Sequence, residues 1–297
     1  MMLKLRDGVG EMPVLGLGLY LLEPGAETEQ TVLSALDLGY RHLDGAAFYN
    51  NEASVGQALR KSAVPRSEVW YTTKVWTTDR THDEAVRSIE RSVAETGGAV
   101  DLALVHWPVP GAHVEMYRGL VTCQKRGLCR FIGLSNYMPT DYAELEESGL
   151  TEEVAPVVNQ IEVSPNIYRK AEIEFFQKRG IVVQAFKPLG RGALLEQAPF
   201  LELGIKYNTT ASAVLLKWAK QKGFSVLCKS RSSTRLAANK HAVDGNDFLL
   251  SDADMLVLDG ATTEEARDDA RRHYEKRRAG TTAPWGDGPR PALSKEV

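Results

Sequence analysis

Eight short apolar runs, separated by stretches with a helical rhythm, limit what this chain can fold into more than any other feature. The runs fall at 14–19, 41–44, 69–74, 100–106, 131–136, 157–161, 181–186 and 225–229, each four to seven residues long and rich in Val, Ile, Leu and aromatics. They are too short for typical helices, and their apolar residues do not alternate with polar ones, as expected of strands buried on both faces. Between them, 28–38, 81–94, 114–125, 140–147, 171–178, 210–222 and 234–241 place apolar residues at turn spacing, and a further helix opens near Asn51-Glu52. Gly127, Gly149, Gly180 and Gly223 close four of these segments, as glycine commonly does at helix ends. Eight strand–helix units with right-handed crossovers predict a (β/α)8 TIM barrel. Two doubly wound domains are the rival architecture, but no linker divides the chain and no GxGxxG follows the first run.

Both ends depart from this rhythm. Residues 3–5 alternate and Asp7-Gly8 supplies a turn, which predicts a small N-terminal β-hairpin. The barrel is expected over 1–260. Residues 261–297 would form a charged C-terminal helix and a Gly/Pro-rich tail near the barrel mouth, either part of the same domain or a mobile extension. Within 262–278 only Ala266, Ala270 and Tyr274 mark an apolar stripe, so a solvated helix with mixed ion pairs is expected; 280–291 reads as loop, with Trp285 asking for a partner.

Charge and cysteine usage bound the function classes. A net charge of −3 over 297 residues gives no general attraction to nucleic acid or to an anionic membrane. Cys123, Cys129 and Cys228 show no CxxC pairing and no metal-ligand spacing with the histidines, so no metal site is expected. The opening MMLKLRDGVGEMP has no apolar segment of a secretory signal, and no long apolar run follows. A cytoplasmic protein is expected, and with no heptads demanding assembly, a monomer.

Polar residues stand at the same end of nearly every run. Asp44, Lys74, His106, Ser135-Asn136, Asn159-Gln160, Phe186-Lys187 and Lys229-Ser230 all close a predicted strand, and Tyr49 follows Asp44 by five residues. In a barrel these ends converge on one mouth, where such folds carry their chemistry. A phenol near a lysine, the lysine near a carboxylate and a histidine opposite suit carbonyl reduction or its reverse. The ammonium is expected to lower the phenol's pKa from about 10, and the histidine to orient an oxygen that gains charge. HExxH, GxSxG and P-loop motifs are absent from the sequence. Lys229, Arg231 and Arg235 surround a serine between a strand end and a helix start, a setting that favours an anion.

The chain resembles the aldo-keto reductases over about residues 3–260. GYRHLDGAAFYNNEASVGQAL (39–59) and DLALVHWP (101–108) are similar to two of the family's signatures, and VWYTTKVW, GLSNY, VVNQIEVSPN, AFKPLGRG and LCKSRSSTRLAAN follow its order and spacing. The resemblance implies a catalytic tetrad of Asp44, Tyr49, Lys74 and His106 with Tyr49 as proton donor, and NADPH (NADP+) as cofactor in the reduction of a small-molecule carbonyl substrate. By similarity, Ser135, Asn136 and Gln160 hold the carboxamide and Phe186 stacks on the nicotinamide. Lys187 lies beside the pyrophosphate path, Leu189 is a further cofactor-binding residue, Lys229, Ser230 and Arg235 surround the 2′-phosphate, and Asn239 lies near the adenine. Tyr20, Phe48, Trp76 and Trp107 fall where the family builds its substrate pocket, although core packing explains Trp107 equally well.

The sequence departs from the family pattern at several of these places. Gly45 stands for a usual threonine, Phe186 for a tyrosine, Lys187 for a small residue, Cys228 for a proline and Ala238 for a glutamate. Altered cofactor affinity is expected before loss of chemistry. Two other readings remain open at this level: a cofactor-binding regulatory or structural protein on the same fold, and a lyase forming a Schiff base on Lys74 or Lys187.

Overall fold

The runs form a closed parallel barrel because both faces of each strand find cover, from helices outside and from packed side chains inside. In the computed structural model, which describes residues 1–6, 8 and 10–279, a hairpin of β1 (Met2–Lys4) and β2 (Glu11–Pro13) precedes the barrel. The barrel strands are β3 (Leu15–Gly18), β4 (His42–Asp44), β5 (Trp70–Val75), β6 (Val100–Val105), β7 (Cys129–Ser135), β8 (Val158–Glu162), β9 (Val182–Phe186) and β10 (Ser225–Cys228). Each pairs in parallel with the next, and β10 closes the ring against β3. All eight anticipated runs are barrel strands. β5 and β6 are buried along their whole length, as cover by helices outside and side chains inside requires.

The helices are α1 (Ala26–Asp37), α2 (Glu52–Lys61), α3 (His82–Thr96), α4 (His113–Lys125), α5 (Pro139–Glu147), α6 (Leu150–Glu153), α7 (Lys170–Lys178), α8 (Ala198–Lys206), α9 (Ala211–Gln221), α10 (Ser233–Asp244), α11 (Asp252–Asp259) and α12 (Glu264–Arg278). Thr81 caps α3 in a reciprocal box with Glu84, which fixes where that helix begins. The anticipated stops at Gly127, Gly149, Gly180 and Gly223 take φ of 73°, 75°, 71° and 77°, a left-handed region that costs a side chain energy and glycine almost nothing.

Three helices were not anticipated. α8 begins with Pro199 in its first turn and contains Gly204, which together read as loop; Phe200 and Leu203 nevertheless bury one face. α6 is a single turn, and α11 carries three aspartates that hide its short apolar pattern.

The hairpin sits at the end of the barrel where the strands begin. Leu5 and Met12 join Trp70, Leu102, Leu104, Phe131, Val157 and Val158 in one buried cluster. That plug leaves the opposite end, where the strands finish, for the site. Asp7 of the expected hairpin turn, and the expected loop with Trp285, lie outside the described residues.

Helix α12 is mostly exposed and pairs Arg271 with Asp268 and Arg272 with Asp269, as expected of a solvated helix, but it is also anchored to the barrel. Tyr274 Oη donates to Asp141 Oδ2 of α5 at 2.5 Å, Arg278 Nη2 lies 2.9 Å from Asp141 Oδ1, and the His273 ring meets Trp107 edge-on at 5.6 Å. Polar side chains do this anchoring, so a search for apolar periodicity undercounts it. No helix of the described residues is long and apolar enough to cross a membrane.

Candidate active site

Asp44, Tyr49, Lys74 and His106 meet at the finishing ends of β4, β5 and β6. Lys74 lies inside the barrel with no exposure. Its Nζ is 2.9 Å from both carboxylate oxygens of Asp44, 2.7 Å from the Gly45 carbonyl oxygen and 3.1 Å from Tyr49 Oη. Tyr49 is carried by a single 3-10 turn, Ala47–Tyr49, whose closing residue Asn50 takes a left-handed φ of 55°. That turn directs the phenol back over the barrel axis while α2 starts away from it.

The ammonium is held by two competing effects. Burial pushes the Lys74 ammonium down and the Asp44 carboxyl up, and each charge opposes the other's shift. Two 2.9 Å contacts plus an amide donor from Gln160 (Nε2 to Asp44 Oδ1, 2.7 Å) are the geometry a buried ion pair needs. Gln160 Nε2 also donates to Gln184 Oε1 at 2.6 Å, and Gln184 Nε2 to Ser225 Oγ at 3.0 Å. A polar chain therefore crosses the barrel interior from β10 to β4.

The expected lowering of the Tyr49 pKa does not hold. Burial, then the Asp44 charge, then Tyr20 push it well above its usual value. Lys74 is the phenol's neighbour, but its charge is matched by the carboxylate that holds it. Tyr49 is thus a neutral phenol, with the Lys74 ammonium 3.1 Å from its oxygen. His106 is neutral as well: burial first, then Lys74 and Arg277, hold its imidazole well below the usual value. Its Nδ1 is buried with no hydrogen-bond partner among the described residues. Its ring lies 5.9 Å from that of Tyr49 and 4.9 Å from that of Trp76.

Around this centre the aromatics form a wall. Phe48 stacks on Trp76 at 3.8 Å, and Tyr20 lies 5.1 Å from Tyr49, ring to ring. A model of the family described as "Aldo/keto reductase family" matches residues 14–262. The uncharacterized oxidoreductase YtbE of Bacillus subtilis (strain 168) is 35% identical over 260 residues, 86% of this chain and 90% of that protein. The chain belongs to the aldo/keto reductase family. A glyoxal reductase of the same organism is 34% identical over 263 residues, 88% of this chain and 93% of its own length. Among solved structures, a variant of Gox0644 in complex with NADPH superposes with a TM-score of 0.83 at 33% identity, covering 90% of this chain and 95% of that one.

As a member of this family the chain is an NAD(P)H-dependent oxidoreductase, and the residues expected to hold the cofactor can be located. Ser135 and Asn136, on a left-handed turn (φ 62° at Asn136), lie beside the tetrad; Asn136 Nδ2 donates to the His106 carbonyl oxygen at 2.9 Å and to Ser135 Oγ at 3.1 Å. Gln160 uses its amide nitrogen within the barrel, on Asp44 and Gln184. Phe186 and Leu189 are half-buried at the mouth. Lys187, also left-handed (φ 53°), is bound by Glu162 at 2.7 Å, with its ammonium over the Phe186 ring.

At the far side, Ser230 is buried below Lys229, and Arg235 Nε donates to its Oγ at 3.1 Å. Both cations are exposed beside the capped start of α10, and Asn239 is buried on that helix two turns on in sequence order. Arg231, read with them as an anion cluster, instead pairs with Glu27 at 3.0 Å.

Sequence reading missed Glu162, Gln184 and Glu52. Glu52 lies buried three residues after Tyr49 and accepts hydrogen bonds from Tyr71, Thr73 and Ser92. A carboxylate at a helix start passes for a capping residue, and a glutamine in a strand for an exposed one. It also missed His273 and Arg277, in a segment with only a thin apolar stripe.

Proposed function

We propose that this protein reduces an aldehyde or ketone to the alcohol, with NADPH as the hydride source and Tyr49 as the proton donor. The observation that carries the reading is Lys74 Nζ, which touches Asp44 and the Tyr49 hydroxyl at once. Bound NADPH would supply the hydride to the carbonyl carbon. As the carbonyl oxygen gains negative charge, Tyr49 Oη gives up its proton to it, and the ammonium 3.1 Å away stabilises the phenolate left behind. The neutral His106 donates a hydrogen bond toward that oxygen, and Phe48, Trp76 and Trp107 keep water from it.

The residues fit the cofactor in two places. Lys229, Arg235 and Ser230 at the start of α10 are a donor set for a phosphate dianion, which favours NADPH over NADH. Half-buried Phe186 offers an aromatic face at the mouth. Purified protein should oxidise NADPH with 4-nitrobenzaldehyde. Tyr49→Phe should remove turnover while NADPH still quenches tryptophan fluorescence, and Arg235→Ala should weaken NADPH roughly 10-fold or more against NADH. A Tyr49→Phe variant as fast as wild type, or inactivity across a broad carbonyl panel, would sink the reading.

A further inference from the structure

Helix α12 brings to the open end of the barrel a cation that the tetrad does not use. His273, Tyr274, Arg277 and Arg278 share one stripe of the helix, since residues three and four apart are surface neighbours. Three of them are committed: His273 to the Trp107 ring, Tyr274 to Asp141, and Arg278 to Asp141 and, at 3.5 Å, Glu144. Arg277, one turn beyond His273, is half-buried, and no acid among the described residues pairs with it.

Its surroundings locate it. The Arg277 charge bears on His106, Lys187 and His273, and Tyr20 lies within its field. Tyr20 and His106 flank the Tyr49 ring at 5.1 and 5.9 Å. The other charges there are matched or positive: Lys74 is paired with Asp44, Lys187 with Glu162, and Arg191 adds a further cation. Among the described residues the mouth carries a positive excess centred on a guanidinium with no acid paired to it. Partial burial without a counter-charge is costly, and a guanidinium presents a planar fork shaped for two oxygens.

We propose that Arg277 receives an oxyanion of the substrate, so that the carbonyl compounds preferred here carry a carboxylate at a distance from the reacting carbon. That the oxyanion belongs to a substrate rests on the reductase reading; the anion site itself does not. The same chemistry could come from the cofactor's pyrophosphate, and the test separates the two.

Benzoate and its neutral counterpart benzamide are titrated into the full-length protein, with and without saturating NADP+, and read by tryptophan fluorescence. In parallel, kcat/KM is measured with NADPH for 4-carboxybenzaldehyde and 4-nitrobenzaldehyde. Wild type should bind benzoate roughly 10-fold or more tightly than benzamide. Arg277→Ala should cut that preference, and the kcat/KM ratio of the two aldehydes, by roughly 10- to 100-fold, with partial recovery in Arg277→Lys. Equal binding of the two probes by wild type, or an unchanged preference in Arg277→Ala, overturns the proposal. So does a loss of NADP+ affinity in Arg277→Ala with the preference intact, which assigns the cation to the pyrophosphate. Turnover of no carbonyl at all removes the reductase reading and leaves the benzoate titration to decide this one.

Discussion

The Tyr71 hydroxyl lies where a side chain on residue 45 would have to begin. A Cβ on Gly45 would come within 2.1 Å of Tyr71 Oη and 2.8 Å of its Cζ. Tyr71 Oη donates to Glu52 Oε1 at 2.9 Å, beside Thr73 at 2.7 Å, while Ser92 takes Oε2 at 2.8 Å. Gly45 is thus explained by its neighbour across the barrel wall: a phenol from β5 fills the volume that a threonine would occupy.

Gly45→Ala should therefore cost about 1–3 kcal/mol, because Tyr71 can move only by leaving Glu52. Combined with Tyr71→Leu, the same change should cost about 1 kcal/mol less than it does alone, a coupling that a double-mutant cycle in urea would measure. Strict additivity would show that the two positions do not share the space.

Asp44→Asn leaves the fully buried Lys74 ammonium without its counter-charge. Stability should fall by roughly 3–5 kcal/mol, and turnover with it. An unchanged urea midpoint would mean that the pair contributes nothing to holding the lysine.

Three histidines are held neutral by burial. His42 is pulled down to about 3, His273 to about 4, and His106 well below its usual value. Their unfolded values lie near 6.5. Between pH ~6.5 and ~4 the unfolded chain binds protons that the folded chain refuses, so stability is full above that window and is lost as pH falls through it. His42 and His106, both buried, should each contribute up to ~1.4 kcal/mol per pH unit. Urea midpoints at pH 6.5, 5.5 and 5 should decline steadily; a flat series would contradict the assignment.

Helix α12 is tied down by few contacts. Removing two of them with Tyr274→Phe and Arg278→Gln should speed amide hydrogen exchange across 264–278 while the barrel strands keep their protection. Equal loss of protection in β5 and β6 would show that the helix is part of the barrel's own cooperative unit.

The sequence made the barrel legible because eight short, largely apolar runs recur between helical stretches, most with a polar residue at the finishing end, a pattern that survives without any knowledge of neighbours. Asp44, Lys74 and His106 could be read for the same reason, since they close their strands. What could not be read depends on partners distant in the chain. Arg231 was grouped with Lys229 and Arg235 by adjacency, yet it turns to Glu27 on α1. The sign of the Tyr49 shift depends on how completely the phenol is buried, which no local pattern reports. Arg277 sits in a segment whose docking is polar, so the periodicity that finds buried helices passes over it.

The chain of amides behind Asp44 also bears on when competence is acquired during synthesis. Asp44, Tyr49, Lys74 and His106 are all made in the first part of the chain, but Asp44 is braced by Gln160, 116 residues on, and Gln160 by Gln184, which is bonded in turn to Ser225. A nascent chain holding all four side chains still lacks the struts that fix Asp44. A ribosome stalled before β10 would display an unbraced cluster, and only closure of the ring completes the support.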